Sequence, residues 1–325
     1  MTWAYQAPLW LPGGNLQTIY AAKLAATTAL KDQSWQRERW PSPDGDFVDV
    51  DWINRGLTGP RPLVVLFHGL EGSSSSHYAR SFAAQAMARG WAMAVPHFRG
   101  CSGEINRAPR AYHSGDHEEI DWMLRECRQR HEGPLLAIGI SLGGNALMRW
   151  AGVVGQAAGQ MIQAAASVCA PLDLTASGHA IDQGLNRWVY ARMFLKTMKP
   201  RALQKLQQFP NLFDREALLA AETLYAFDNV FTAPLHGFQN VDDYWLRASA
   251  KPGLADIRIP ALVLNARNDP FVPAWCLPQA KEVSHTVTLW QPKTGGHVGF
   301  PNGPFPANVD AMPCAVLDWL QTTLP

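Results

Sequence analysis

GISLGGN, residues 139–145, places Ser141 at the junction between an apolar run and a helical pattern. Residues 135–140 (LLAIGI) predict a buried strand, and LGGNALMRWAG predicts a helix that begins at Leu142. A strand-turn-helix junction with the pattern G-x-S-x-G is typical of a nucleophile elbow, where a sharp turn exposes the serine Oγ above the carboxyl edge of a sheet. We expect Gly139 and Gly143 to supply the backbone freedom for this turn. Because the pattern also arises by chance, the rest of the chain must support this interpretation.

Short apolar runs, separated by helical patterns, extend on both sides of this junction and predict a mostly parallel sheet with helices on both faces. The runs are LVVLF (63–67), WAMAVP (91–96), LLAIGI (135–140), AASVCA (165–170), ALVLNA (261–266) and TVTLW (286–290). Upstream, residues 35–53 alternate in polarity around the turn PDGD and predict an antiparallel hairpin that opens the sheet. The predicted fold class is therefore α/β.

The alternation of predicted strands and helices is interrupted once. About ninety residues separate the fourth and fifth parallel strands, which is too long for an ordinary loop. We expect residues 171–260 to form an inserted helical cap. Residues 1–170 and 261–325 would then form the core that carries the sheet.

Composition narrows the range of ligands and locations. The 325 residues have a formal net charge of +1 and 17% charged content, which predicts no attraction to nucleic acid or anionic lipid. Five cysteines without C-x-x-C spacing predict neither a disulfide framework nor a zinc ribbon. No signal-peptide pattern and no apolar run long enough for a transmembrane segment occurs in the sequence, so a cytoplasmic protein is expected.

Two further residues complete a catalytic pattern with Ser141. Asp269 follows the predicted strand ALVLNA, and His297 follows TVTLW, so the order is serine, aspartate, histidine. Each lies just past the carboxyl end of a different predicted strand, where parallel sheets place their chemistry. Asp173, after the preceding strand, is an alternative acid, and His285, which precedes its strand, is a weaker alternative base.

Backbone N–H groups near Ser141 are candidates for an oxyanion hole. Leu142 follows the nucleophile at a helix start, and Leu70 follows the strand LVVLF in the loop FHGLEG, where Gly69 allows close approach. His68 in the same loop is interpreted as a structural hydrogen-bonding residue. Neither a metal nor an organic cofactor is needed for this chemistry, and no H-E-x-x-H motif occurs in the sequence.

Seven further stretches, together with GISLGGN, carry a family resemblance that covers nearly the whole chain. They are PLWLPGGNLQTI (8–19), LFHGLEGSSSSHYAR (66–80), HFRGCSG (97–103), YHSGDHEEI (112–120), FDNVFTAPLHGF (227–238), NARNDPF (265–271) and GGHVGF (295–300). The chain resembles the α/β-hydrolase superfamily, and more narrowly its YheT-like esterase branch, whose eukaryotic relatives include membrane-anchored phospholipid hydrolases. The resemblance implies an acyl-ester hydrolase with Ser141, Asp269 and His297 as its triad. Asn15 departs from the branch, in which histidine is common at this position.

The substrate expected from these patterns is a small-molecule acyl ester of hydrophobic or lipid-like character. In the predicted cap, Trp188, Tyr190 and Phe194 are candidate substrate-binding residues, since they mix apolar bulk into a near-helical pattern. Two alternatives remain at this stage: an acyltransferase that uses the same acyl-enzyme, and a catalytically idle scaffold that binds a ligand.

Overall fold

The computed structural model describes residues 3–25, 35–56 and 59–325, and within them the chain folds around one eight-stranded sheet. Every apolar run predicted as a strand is a strand, although several end earlier than the run does. The strands are β1 (Gln36–Pro41), β2 (Phe47–Ile53), β3 (Leu63–Phe67), β4 (Ala92–Pro96), β5 (Leu135–Ile140), β6 (Ala164–Val168), β7 (Ala261–Leu264) and β8 (Val287–Trp290).

The strand order across the sheet is β1-β2-β4-β3-β5-β6-β7-β8. β1 pairs antiparallel with β2, as the hairpin pattern predicted, and β2 pairs antiparallel with β4, while all other neighbours are parallel. The register places the ends of β5, β6, β7 and β8 side by side, with Ile140 opposite Val168 and Leu264 opposite Trp290. Loops that follow these strands therefore meet at one edge of the sheet.

Both faces of the sheet are covered. In β3, Leu63, Val65 and Phe67 pack into a core with helices α3 (His117–Arg130) and α4 (Leu142–Val154). Val64 and Leu66 pack into a second core with helices α2 (His77–Ala88) and α12 (Ala311–Gln321). This alternation is the period-two pattern of a strand buried on both sides. The helices are α1 (Gly14–Lys23), α2 (His77–Ala88), α3 (His117–Arg130), α4 (Leu142–Val154), α5 (Leu174–Ile181), α6 (Gly184–Asn186), α7 (Arg192–Gln208), α8 (Arg215–Ala220), α9 (Leu224–Phe227), α10 (Ala233–Leu235), α11 (Val241–Ala248) and α12 (Ala311–Gln321).

The segment between β6 and β7 is helical and contains α5 to α11. π-helical turns at Arg187–Ala191 and Asp228–Thr232 join α6 to α7 and α9 to α10 into two longer runs. These helices enclose apolar clusters of their own, around Phe227 and around Trp245. The last residues of the segment, including Leu254 and Ile257, instead pack into the core beside α4.

A buried arginine fixes the loop after β4. Arg99 contacts Glu119 of α3 at 2.6 Å, Asp44 at 2.8 Å and Asp46 at 3.0 Å, and its side chain is only 4% exposed. Burial raises the pKa of Glu119 to about 7, because an apolar environment disfavours the charged form. Removing one partner from such a buried group costs about 3–5 kcal/mol, so this network holds the loop rigidly against the hairpin turn.

In the part of the chain that the structure describes, no helix is both long enough and apolar enough to cross a membrane.

Candidate active site

Ser141 lies on a strained turn between β5 and α4. Its backbone has φ 51° and ψ −115°, a conformation that costs a residue other than glycine about 1–3 kcal/mol. The Ser141 N–H donates to the carbonyl oxygen of Val168 at 2.8 Å, which ties the turn to the end of the neighbouring strand β6. The turn therefore holds the Ser141 side chain at the carboxyl edge of the sheet.

The glycines that flank Ser141 have a different role from the one expected. Neither Gly139 nor Gly143 has a positive φ, so the turn does not use their backbone freedom. They are needed for close packing instead, because a Cβ on Gly143 would lie 2.5 Å from the carbonyl oxygen of Phe67 and 2.6 Å from that of His68. A Cβ on Gly139 would overlap the backbone of the first turn of α4. The strain of the turn is carried by Ser141 itself.

The structure brings Ser141, His297 and Asp269 into one hydrogen-bonded chain. His297 Nε2 lies 2.9 Å from Ser141 Oγ, and His297 Nδ1 lies 2.8 Å from Asp269 Oδ2. The Asp269 side chain is fully buried and that of His297 is 10% exposed. A carboxylate at Nδ1 favours the tautomer in which Nε2 is free to accept the serine proton.

Asp269 is fixed by the backbone that follows it. Its Oδ1 accepts hydrogen bonds from the N–H groups of Phe271 at 2.8 Å and Val272 at 3.3 Å, which leaves Oδ2 for the histidine. The alternative acid, Asp173, is the N-cap of α5, where its side chain accepts from the N–H of Ala176. The geometry thus joins Asp269, and not Asp173, to His297.

The loop that carries His297 is held by helix α1, a contact that sequence reasoning missed. Thr18 Oγ1 accepts the N–H of His297 at 2.8 Å, and Gln17 Oε1 accepts the N–H of Gly295 at 2.9 Å. On the other side, the Phe271 ring packs on the imidazole with 4.2 Å between centroids. Gln17 and Thr18 stand in the motif GGNLQT, which contributed to the family resemblance without a role being assigned to them.

Two backbone N–H groups beside Ser141 have the properties of an oxyanion hole. Leu142 is the first residue of α4, and Leu70 follows Gly69, whose Cβ position is 3.3 Å from Ser141 Cβ. Within residues 3–25, 35–56 and 59–325, neither the Leu70 nor the Leu142 N–H donates a hydrogen bond. Both groups are therefore free to bind an oxygen near Ser141 Oγ.

His68 supports this loop as a neutral residue. Its Nε2 accepts the N–H of Phe98 at 3.0 Å, so Nδ1 carries the proton and donates to the carbonyl oxygen of Gly69 at 2.8 Å. Complete burial lowers the pKa of His68 to about 3. The bond to the Gly69 carbonyl fixes the peptide group that contains the Leu70 N–H.

A salt bridge connects the same loop to the helical segment. Glu71 Oε1 lies 2.9 Å from Nη1 of Arg201 on α7, and the Tyr112 hydroxyl donates to the same oxygen at 3.0 Å. The Tyr112 oxygen in turn accepts the Glu71 N–H at 3.0 Å. The residue after Leu70 is thereby attached to a helix that lies far away in sequence.

Cys169 lies beside the triad with its ligand atom within 4.8 Å of those of Asp269 and His297, a spacing that could hold a metal ion. Burial raises the pKa of the Cys169 thiol well above its usual value, which disfavours the thiolate that a metal requires. Its Sγ accepts the N–H of Val298 at 3.2 Å, and Asp269 is already bonded to His297. The arrangement fits a structural thiol better than a metal ligand.

A cavity of about 360 Å³ opens at Ser141 between the sheet and the helical segment. Its lining is mostly apolar and includes Leu70, Leu142, Leu174, Phe194, Phe227 and Phe231. A cavity of this size and character suits a small hydrophobic ligand.

Only one of the three predicted substrate-binding residues lines this cavity. Phe194 does, whereas Trp188 is 65% exposed to solvent and lies outside it. Tyr190 is buried but packs against Phe271, and its hydroxyl donates to Asn15 Oδ1 at 2.8 Å. The structure therefore does not bring Trp188 or Tyr190 to this cavity, since one side chain faces solvent and the other joins the helical segment to the N-terminal helix.

The chain is similar in sequence to known proteins of the α/β-hydrolase fold. A model of the α/β-hydrolase fold family matches residues 62–304. The chain is 38% identical over 295 residues to the Escherichia coli (strain K12) protein named "Putative esterase YheT", a match that covers 89% of this chain and 85% of that protein. It is 27% identical over 315 residues to human Phospholipase ABHD3, covering 94% of this chain and 76% of that protein.

Among solved structures, α/β hydrolase domain-containing protein 10 from mouse superposes with a TM-score of 0.55 at 13% identity, covering 88% of this chain and 99% of that one. At this identity the likeness concerns the fold alone. The family match and the similarity to YheT extend over most of the chain. The chain therefore belongs to the α/β-hydrolase family, in its YheT-like branch.

Proposed function

We propose that this protein cleaves hydrophobic carboxylic acyl esters through an acyl-enzyme formed on Ser141. The protein is a carboxylic ester hydrolase, in line with relatives named esterase and phospholipase. The proposal of an acyl-enzyme rests on two hydrogen bonds. Ser141 Oγ lies 2.9 Å from His297 Nε2, and His297 Nδ1 lies 2.8 Å from Asp269 Oδ2.

In the proposed reaction, His297 Nε2 takes the proton of Ser141 as Oγ forms a bond to the acyl carbon. Asp269 keeps the imidazole in the required tautomer and stabilises the imidazolium. The tetrahedral intermediate collapses when His297 returns the proton to the leaving alcohol oxygen and the bond from the acyl carbon to that oxygen breaks. Water, activated by the same histidine, then releases the acid and restores Ser141.

The developing oxyanion would be held by the N–H groups of Leu70 and Leu142. Two observations support this role. Neither N–H group has an acceptor in the described part of the chain, and Gly69 lies close to Ser141. One such donor typically contributes about 3–4 kcal/mol to transition-state stabilisation. Because both donors belong to the backbone, their positions depend on the packing at Gly69 and Gly143.

The acyl chain would occupy the apolar cavity beside Ser141, with Phe194 on one wall. We propose that residues 1–170 and 261–325 form the catalytic core and that the helices after β6 form a cap over it. The end of this segment contacts the core directly, since Leu254 and Ile257 pack beside α4. Each substrate methylene buried under such a cap contributes about 0.8 kcal/mol.

Covalent labelling tests this proposal. Wild type should react with a fluorophosphonate, gain the mass of one adduct and lose esterase activity, because Ser141 is activated by His297. Ser141→Ala should take up no label, whereas Ser284→Ala, which removes a hydroxyl that pairs with Thr286 and lies outside the cavity, should label as wild type does. Equal labelling of Ser141→Ala and wild type would contradict the assignment of the nucleophile.

A further inference from the structure

Two of the polar side chains that line the cavity, Asp228 and Ser177, lie in the helical segment and have no role in the reaction at Ser141. Asp228 begins the π-helical turn Asp228–Thr232, inside the motif FDNVFTAPLHGF, and Ser177 lies on α5. Both line the same cavity as Ser141. π-helical turns are rare and often occur at functional sites.

The Asp228 carboxylate has hydrogen-bond donors but no cation. Oδ1 accepts the hydroxyl of Thr232 at 2.6 Å, and Oδ2 accepts the indole N–H of Trp245 at 2.9 Å. In the described ranges, no lysine, arginine or histidine forms a salt bridge with Asp228. Burial raises the pKa of Asp228 to about 6, so the group is mostly ionised at neutral pH. Each carboxylate oxygen keeps a further lone pair for a donor in the cavity.

The Ser177 hydroxyl is buried without a partner. Its side chain belongs to a residue that is 1% exposed, and its Oγ makes no hydrogen bond within the part of the chain that the structure describes. The indole ring of Trp245, which donates to Asp228, packs against Gly178, the next residue after Ser177, so the elements that carry Ser177 and Asp228 both contact Trp245. Buried hydroxyls are almost always paired, so an unpaired one that lines a cavity points to a ligand.

We propose that Asp228 and Ser177 recognise a hydroxyl group on the acyl chain of the substrate. The inference rests on the proposed function, in which the cavity holds that chain. A hydroxyl can donate to the Asp228 carboxylate and accept from Ser177, so the needs of both side chains are met. An ammonium group offers only donors and leaves the Ser177 hydrogen unpaired, while an unsubstituted chain leaves the Ser177 hydroxyl unpaired and gives Asp228 no further donor. The preferred substrate is therefore a hydroxyacyl ester.

Paired substrates test this directly. We would measure kcat/KM of wild type for p-nitrophenyl esters of straight acyl chains of about six to ten carbons, each with and without a terminal hydroxyl, and with a terminal ammonium group as a third series. At the chain length that reaches Asp228, the hydroxyl ester should exceed its unsubstituted partner by roughly tenfold or more, the effect of one hydrogen bond to a charged group. It should also exceed the ammonium ester.

Two variants connect the preference to the named side chains. Asp228→Asn and Ser177→Ala should each bring the ratio between hydroxyl and unsubstituted esters close to one. Their kcat/KM for p-nitrophenyl acetate, whose acyl group is too short to reach the site, should stay within about twofold of wild type. Asp173→Asn changes an aspartate outside the cavity and should keep the full preference.

The outcomes separate this inference from the proposed function. Equal values for the paired esters at every chain length, a higher value for the ammonium series, or a preference that survives both substitutions would overturn hydroxyl recognition while ester hydrolysis stands. No hydrolysis of any ester, acetate included, would overturn the proposed function and this inference with it.

Discussion

Replacing Asp269 with asparagine should reverse the tautomer of His297. In the wild type, Oδ1 accepts two backbone N–H groups, from Phe271 and Val272, and Oδ2 faces Nδ1 of the histidine. In Asp269→Asn, the amide oxygen must remain with the two backbone donors, because an NH₂ group there would face N–H groups. The NH₂ group then points at Nδ1 and makes it the acceptor, so the ring proton moves to Nε2.

A histidine protonated at Nε2 cannot accept the proton of Ser141. A triad with the wrong tautomer loses about 10⁴-fold in kcat, which corresponds to about 5.4 kcal/mol of activation free energy. Substrate binding and folding should change little, since asparagine has nearly the size of aspartate and keeps the two backbone hydrogen bonds. The residual activity would come from the oxyanion hole and from binding.

The assay is the steady-state kcat for p-nitrophenyl butyrate at neutral pH, together with thermal unfolding of each variant. Asp173→Asn is the matched control, because asparagine caps a helix as well as aspartate does, and its kcat should stay within about twofold of wild type. If Asp269→Asn keeps more than about a tenth of the wild-type kcat, or if Asp173→Asn loses as much, the tautomer argument is refuted.

Three further predictions concern the elbow and the cavity. Ser141→Gly should be more stable than Ser141→Ala by about 1 kcal/mol in denaturant unfolding, because glycine adopts this backbone conformation without strain; equal stabilities would argue against a strained elbow. Gly143→Ala should lower the free energy of unfolding by about 2–3 kcal/mol, whereas Gly253→Ala, where the Cβ has room, should change it by less than about 1 kcal/mol. Phe194→Ala should change the dependence of kcat/KM on acyl length and Trp188→Ala should leave it unchanged, in keeping with which side chain lines the cavity; the opposite result would place the acyl chain elsewhere.

The sheet and the grouping of Ser141, Asp269 and His297 were accessible from sequence for one physical reason. Strands buried on both faces read as short apolar runs, and parallel strands bring the residues after their carboxyl ends to one edge. The order of the motifs then predicted which side chains meet there. The role of Gly143 was not accessible, because it depends on the carbonyl groups of β3, which only the folded chain brings against α4.

The candidate substrate-binding residues show what helical periodicity in a sequence cannot predict. Helical spacing indicates which residues share a face, but not whether that face meets the core or the solvent. The π-helical turn Arg187–Ala191 adds a residue to one turn and shifts the phase of the helix between Trp188 and Phe194. Even at a constant 3.6 residues per turn, the six residues from Trp188 to Phe194 place the two side chains about 120° apart. Spacing alone could not tell that Trp188 faces solvent and that Phe194 lines the cavity.

The hydrogen bonds between helix α1 and the His297 loop join two parts of the chain that the ribosome makes at very different times. Thr18 and His297 are 279 residues apart in sequence. At roughly 5–20 residues per second, a ribosome needs about 14–56 s to add the loop after it has made the helix. Throughout that interval Thr18 and Gln17 have no partner in the loop, and the histidine that would activate Ser141 has not been made. Under the proposed mechanism, esterase activity begins only when the late-made loop closes onto the early-made helix, so the nascent chain stays inert until that loop has been made.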